Sequence, residues 1–326
     1  MKRLSLTAAA LLLGWGAVAG AKELRISHQW NTNDVRHEMA EVLAAEVAKA
    51  DVGLEIKIYP KRELFKPREQ YEPLMSGELD MSIYTLAYSG NRHREYALTL
   101  MPALVKNHEH AYRLTRSPFM QEIEEILAKD DIMVLVHGYL AGGFGGVDRC
   151  IRHPRDVDGL QARAAGSAFE VMLEGAGATI ESMSSPAIYG AIEEGRLQAA
   201  NTSSASFVSF KLYEKLACYT PAGAYSLWFV YIPILMSKSN FEALTPEQQE
   251  ALRAAALVAE NYYRDEAKKQ DAMSRRVFEE KGVQIADMTE GEFQEWYGIA
   301  KETSYEAYLA AYPNGMRLLD MALSVE

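Results

Sequence analysis

Residues 245–249, Thr-Pro-Glu-Gln-Gln, open the stretch on which the fold turns. Threonine can cap a helix, proline suits the first helical position, and Gln248 stands where a capping box puts its returning side chain. After Pro246 no glycine or proline occurs before Gly282. The spacing predicts one helix of about 36 residues, roughly 54 Å at 1.5 Å per residue. That is far longer than an ordinary domain helix. Polar residues dominate Asn261 to Arg276 and no heptad seam is sustained, so a coiled coil is a poor reading. A helix of this length can span two lobes.

Working back from it, the chain carries the material for two lobes. Leu24–His28 alternates as a strand, Val35–Ala50 has helical spacing with Asp34 placed to cap it, and Leu54–Tyr59 alternates again. A short helix over Arg68–Ser76 and a strand over Met81–Thr85 complete a β-α-β-α-β pattern, that of an open α/β sheet. A helix over Ala111–Lys129 and a buried strand over Ile132–Tyr139 follow. Gly142-Gly-Phe-Gly-Gly146 reads as a flexible join that tolerates hinge motion. Beyond it the pattern restarts, with a strand near Leu160–Ala164, helices near Phe169–Gly175 and Pro186–Glu194, a strand at Leu197–Asn201 and a helix around Phe207–Lys215. Tyr225–Met236 is one long apolar run, read as a single buried strand.

The first residues are a targeting signal. Lys2 and Arg3 precede the uncharged apolar run Leu4–Val18, and Ala19-Gly20-Ala21 offers small residues for cleavage near Ala21. The run is shorter than the ~20 residues a spanning helix needs. Residues 1–21 are therefore expected to leave as a signal peptide, delivering the mature chain to the periplasm. The chain is 48% hydrophobic and 24% charged, ordinary for a globule. A net charge of −11 argues against nucleic acid as a partner. Cys150 and Cys218 are the two cysteines, and one disulfide or two buried thiols fit equally well.

Three features invite catalysis or metal and do not carry it. His108-Glu-His110 precedes a helix without a third ligand. Asn201–Ser206 lacks the Gly-x-Ser-x-Gly elbow, and Gly142–Gly146 lacks the Gly-Lys-Ser/Thr ending of a phosphate loop. No cofactor, metal ligand or catalytic set is expected. The sharper candidate is Arg163, within Asp156-Val-Asp-Gly-Leu-Gln-Ala-Arg-Ala-Ala-Gly166. An arginine flanked by alanines is free of a charge thicket, and its planar fork suits a carboxylate. Gln29 and Trp30, and Tyr84 and Thr85, end the first and third strands, where ligands of open α/β sheets sit.

Several segments in order carry a resemblance. They are Leu-Arg-Ile-Ser-His28 with its helix, Tyr59-Pro-Lys-Arg-Glu-Leu64, Leu74-Met-Ser-Gly-Glu-Leu-Asp-Met81, Pro154 to Arg163, Gly177-Ala-Thr, Ala187 to Gly195, and Leu244-Thr-Pro-Glu-Gln-Gln. Together they resemble the solute-binding proteins of the tripartite ATP-independent periplasmic (TRAP) transporters, of the dicarboxylate-binding type, over essentially all of residues 22–326. The resemblance implies an α/β, two-lobe periplasmic-binding-protein fold with a long helix bridging both lobes. Lobe I is expected over 22–140 with a return segment at about 228–265, and lobe II over 141–227 with C-terminal helices at about 266–326. It also implies capture of a small organic carboxylate by lobe closure and delivery to the membrane permease subunits.

The resemblance makes Arg163 the carboxylate anchor. Phe144, Tyr189 and Trp228 become candidate pocket residues, Trp228 as a ring stacked on the ligand within the cluster Tyr225, Leu227, Trp228. Two departures bear on the ligand. Gly143 stands where some relatives carry a second arginine, which points to a monocarboxylate with an aromatic body or a hydroxy- or keto-acid. The polar stretch usual near Leu197–Ser203 is altered, and Asn201, Thr202 and Ser203 are the candidates to replace its contacts. Oligomeric state is left between monomer and homodimer through the tail Glu290–Val325. A periplasmic sensor for a membrane receptor is the alternative function, and a carboxylic-acid enzyme a more distant one.

Overall fold

The computed structural model describes residues 21–326, and the targeting segment lies outside them. Two sheets organise the chain. The strand β1 (Lys22–Ser27) leads through α1 (Val35–Ala50) to β2 (Leu54–Tyr59), then α2 (Tyr71–Met75) and β3 (Met81–Ile83). Asp34 caps α1 by accepting from the Arg36 backbone N–H, and Met39, Ala40, Leu43 and Val47 form its buried stripe. The expected helix over Ala111–Lys129 is two helices, α3 (His108–Leu114) and α4 (Pro118–Lys129). Pro118 cannot continue a helix, because it lacks an N–H and its ring would strike the carbonyl one turn back, so Ser117 caps a new one.

The buried strand expected over Ile132–Tyr139 also divides. It gives β4 (Ile132–Val136) in the first sheet and β5 (Tyr139–Gly146) in the second. The glycine run is therefore the body of a central strand and no loose join. A Cβ on Gly142, Gly143 or Gly146 would lie 2.0, 1.9 and 1.9 Å from the carbonyl oxygens of Thr202, Thr220 and Arg149. The glycines are there because backbone packs directly on them. The crossover itself is His137-Gly138, and a Cβ on Gly138 would sit 2.0 Å from the Tyr263 ring.

Next come β6 (Gln161–Arg163), α5 (Ser167–Gly175), β7 (Thr179–Ile180), α6 (Ile188–Glu193), β8 (Ala199–Ser203), α7 (Ser204–Ser209) and β9 (Cys218–Thr220). The apolar run Tyr225–Met236 is two strands, not one. Trp228–Tyr231 (β10) pairs with β5, and Ile234–Ser237 (β11) lies between β3 and β4. Pro233 divides them, since a proline has no N–H for a ladder. The chain therefore returns to the first sheet at Ile232-Pro233 and not at Trp228. The first sheet runs β2-β1-β3-β11-β4, and the second runs, from the late strand Gln284–Ile285 (β12), β12-β9-β5-β8-β6-β7 with β10 on β5.

After α8 (Lys238–Glu242) the long helix forms as α9 (Pro246–Glu280), 35 residues opened by the Thr245/Gln248 capping box. It touches both halves. Tyr262 donates to Glu38 of α1 at 2.9 Å, while Ser274 bonds Tyr219 of β9 at 3.0 Å and Phe278 packs on the same tyrosine. The chain ends with β12 (Gln284–Ile285), α10 (Glu290–Ala300), α11 (Glu306–Ala311) and α12 (Gly315–Leu323). Trp296 of α10 donates to the Arg152 carbonyl beside the second sheet. Helix α12 crosses back, Arg317 forking onto Glu122 of α4. Cys150 and Cys218 are joined in a disulfide, which ties the loop after β5 to β9 within the second sheet.

Candidate functional site

Between the two sheets lies a narrow crevice, partly open to solvent. Gln29 and Trp30 reach it from the end of β1, and Thr85 and Tyr88 from the turn after β3. Arg163 comes from β6, Ser185 from the following loop, Thr202, Ser203 and Ser206 from β8 and α7, and Trp228, Val230 and Ile232 from β10 and the crossover. Both sheets present the ends that open-sheet geometry reserves for ligands.

Arg163 is 1% exposed. Its Nε donates to the Met183 carbonyl at 3.0 Å and its Nη1 to the Asn201 carbonyl at 2.6 Å. A guanidinium has five N–H groups, so these two bonds fix its plane and leave three donors, with the Tyr88 phenol beside them. Burial pulls the Arg163 pKa below its ordinary value, with Tyr88 working against that, and an arginine remains charged throughout. Tyr88 answers to it. Burial works to raise the phenol, but the charge of Arg163, a hydrogen bond with Gln29 and the charge of Arg68 outweigh it and leave the pKa lowered. Arg68 itself is exposed at the rim, its guanidinium 4.7 Å over the Tyr88 ring.

A second buried arginine faces the same cavity. Arg36, 1% exposed, stacks 4.1 Å over Trp30 and is gripped by Asp34 through two 2.6 Å bonds. It also crosses the cleft, donating to Ser203 Oγ at 3.2 Å and Ser206 Oγ at 3.0 Å. Burial would raise the Asp34 carboxyl, but the charge and hydrogen bonds of Arg36 prevail and lower it. The pair is thus ionised and neutral overall, and the cavity's unbalanced charge is that of Arg163.

Beneath Trp30, two histidines fix the strand end. His28 accepts from the Trp30 N–H and meets His37 at 3.0 Å, and burial with the nearby His37 pushes the His28 pKa down to about 3. Two further cross-cleft bonds close the walls, Gln29 to Ser185 Oγ at 3.3 Å and Asn31 to the Ser209 carbonyl at 2.7 Å. Among the described residues the indole N–H groups of Trp30 and Trp228 and the Gln29 amide oxygen are buried without a protein partner. Such groups are costly unless something hydrogen-bonds them.

Of the residues singled out from the sequence, the structure brings together Arg163, Gln29, Trp30, Thr85, Thr202, Ser203 and Trp228. Tyr84 lies behind them, held there by its bond to Ser89 and its packing on Tyr71 and Tyr88. Asn201 contributes its carbonyl to Arg163, and its side-chain amide is buried without a protein partner outside the residues that line the cavity. Phe144 stacks on Trp296, 5.5 Å between centroids, beneath the second sheet. Tyr189 sits on the outer face of α6, donating to Glu214 with Lys215 over its ring. Sequence reading missed Arg36, Tyr88, Ser185 and Ser206. Arg36 had a signal, since it falls on the stripe Met39, Ala40, Leu43 that α1 buries.

A narrow cleft with one unbalanced guanidinium, lined by two indoles and shared by two α/β halves, fits the interior of a solute-binding protein. The chain belongs to the bacterial extracellular solute-binding protein family 7, which its residues 26–310 match, the solute-binding proteins of TRAP transporters. A solute-binding protein of Albidiferax ferrireducens is 31% identical over 312 residues, 94% of this chain and 92% of that one. The crystal structure of a TRAP periplasmic solute-binding protein from Rhodoferax ferrireducens, with bound malonate, superposes with a TM-score of 0.89 at 31% identity, covering 93% of this chain and 98% of that one. Another from Sulfitobacter, with bound β-D-galacturonate, reaches a TM-score of 0.86 at 22% identity over 93% and 99% of the two chains, a likeness of fold.

Proposed function

We propose that this protein captures a small organic acid carrying one carboxylate, by closure of its two sheet-centred lobes, and presents it to the membrane subunits of a TRAP transporter. The observation that carries the reading is the Arg163 guanidinium, held flat by two carbonyls with three donors left over. A bidentate carboxylate takes two of them. In a water-poor cleft that pairing is far stronger than at a surface. Trp30 and Trp228 supply flat walls for the ligand's body, and their indole N–H groups, with Gln29, supply directional bonds. Signal-peptide cleavage near Ala21 places the mature protein in the periplasm in this reading, and no catalytic step is assigned to it.

The charge balance favours a monoacid, whereas the malonate in the Rhodoferax ferrireducens relative favours a diacid. Calorimetry of the mature protein with a carboxylate panel that includes malonate, succinate, pyroglutamate and small hydroxy acids separates the two. The reading expects sub-millimolar binding of at least one monoacid and its loss in Arg163→Met. Retention of that binding by a folded Arg163→Met protein would overturn it.

A further inference from the structure

Arg36 and Asp34 form a second polar station in the cavity, and the count of their bonds defines what it can hold. Of the five N–H groups of Arg36, two go to Asp34 and one each to Ser203 and Ser206. One N–H on Nη1 remains. The station is rigid, because both members are 1% exposed or less and the guanidinium lies on Trp30. It is also set apart from the anchor. Arg163 is tied to β8 at Asn201 and Arg36 at Ser203, two residues on, about 7 Å at 3.3 Å per residue. Asp34 stands directly behind the guanidinium with its negative charge ionised. A ligand group arriving there meets one donor and a nearby carboxylate.

We propose that the Asp34–Arg36 pair is a specificity-determining station, which donates one N–H to an uncharged oxygen of the ligand, a hydroxyl or carbonyl, and, with its charge already cancelled by Asp34, offers no net cation to offset the desolvation of a second carboxylate. This rests on the carboxylate-capture reading and names the ligand class within it: an acid with a neutral oxygen a few bonds from its carboxylate. Arg36 alone would be a second cationic anchor, but with Asp34 bound bidentately it adds direction without charge. Arg68 does not restore the missing charge, since it lies exposed at the rim where water screens it.

Two matched pairs of probes test this by calorimetry: 3-hydroxypropanoate against malonate, and 4-hydroxybutyrate against succinate. The native protein should bind the hydroxy acid of a pair at least tenfold more tightly than the diacid. Asp34→Asn keeps a capping side chain and an acceptor for Arg36 but frees its charge. It should move the ratio tenfold or more towards the diacid. Preference for the diacid by the native protein, no binding of any of the four, or an unchanged ratio in Asp34→Asn with native circular dichroism would each overturn the inference. If Asp34→Asn does not fold, the neutral double variant Asp34→Leu/Arg36→Met is used. It should lose at least tenfold more affinity for the hydroxy acid than for butyrate, and equal losses for both would overturn the proposal. Arg163→Met separates the two levels. If it binds all probes as before, the capture reading itself fails. If it binds none while the Asp34→Asn ratio stays fixed, only the station fails.

Discussion

Replacing Arg163 by lysine tests whether the fork, and not merely the charge, holds the ligand. Two of the guanidinium's five N–H groups are spent on Met183 and Asn201 carbonyls, and three remain, with the Tyr88 phenol beside them and the residue lining the cavity. A carboxylate taking two of them gains hydrogen bonds to a charged group, each about 1.5–3 kcal/mol. Methionine removes both and leaves the ligand's charge buried without a partner, a loss of about 3–5 kcal/mol or roughly 10²–10⁴ in Kd. Lysine keeps the charge but is a point donor on a flexible stem. It cannot serve two carbonyls and a carboxylate at once, so about one strong bond is lost and Kd rises roughly 10–100-fold. Titration calorimetry with the best monoacid reads these numbers, and circular dichroism confirms the fold. The Met183 and Asn201 carbonyls also lose their donor, so both variants should unfold earlier without ligand. A lysine variant binding within threefold of the parent would refute the fork, and a methionine variant within tenfold would refute the anchor.

Three other outcomes follow from the same geometry. His28 and His137 are held neutral by burial, with pKa values pushed down to about 3 and about 4, while the unfolded chain protonates near 6.5. Their contribution is therefore intact above pH 6.5 and is lost as pH falls towards 4 and then 3, on the order of several kcal/mol. Urea midpoints should drop over that range and drop less in His137→Gln; a flat profile from pH 7 to 4.5 would contradict this. Replacing Cys150 and Cys218 by serine opens a loop of 68 residues and should cost up to about 4 kcal/mol in the chain-entropy model, leaving ligand affinity within threefold because both ends lie in one sheet. Trp30 and Trp228 line the cavity whereas Trp296 packs on Phe144 away from it. Ligand should thus change the tryptophan fluorescence, and Trp228→Phe should remove much of the change; an unaltered signal in that variant would place the ligand elsewhere.

Much of the fold was legible because its patterns are local. The strands Leu24–His28 and Leu54–Tyr59 alternate, the Val35–Ala50 stripe repeats at helical spacing, and the Thr245/Gln248 box sits within four residues. The errors came where a continuous apolar or glycine run hides a change of partner. Pro233 and Pro118 did mark such changes, since neither can donate to a ladder or a helix interior. The glycines at 142, 143 and 146 were misread as mobility, when their reason is the carbonyls packed on them. At the site, strand ends led to Gln29, Trp30 and Thr85, which line the cavity, while Tyr84 and Asn201 lie outside its lining. Proximity in sequence does not choose the face. Tyr189 and Phe144 carried no periodic signal tying them to a cleft, and they lie outside it.

The two arginines show why counting charges in sequence was insufficient. Gly143 leaves β5 without a cation at that position, and the Thr220 carbonyl fills the space a side chain would need. Arg36 then supplies a second guanidinium from the opposite half, which by charge alone would reverse the conclusion. Its neighbour two residues earlier cancels it, and only the fold shows that Asp34 turns inward with it instead of serving solely as a helix cap. The local motif that starts α1 and the station that faces the ligand are one structure. Arg163 has no such partner, since carbonyls hold it without neutralising it. A cavity with one compensated and one uncompensated guanidinium selects its ligand by the number of charges it carries as well as by its shape.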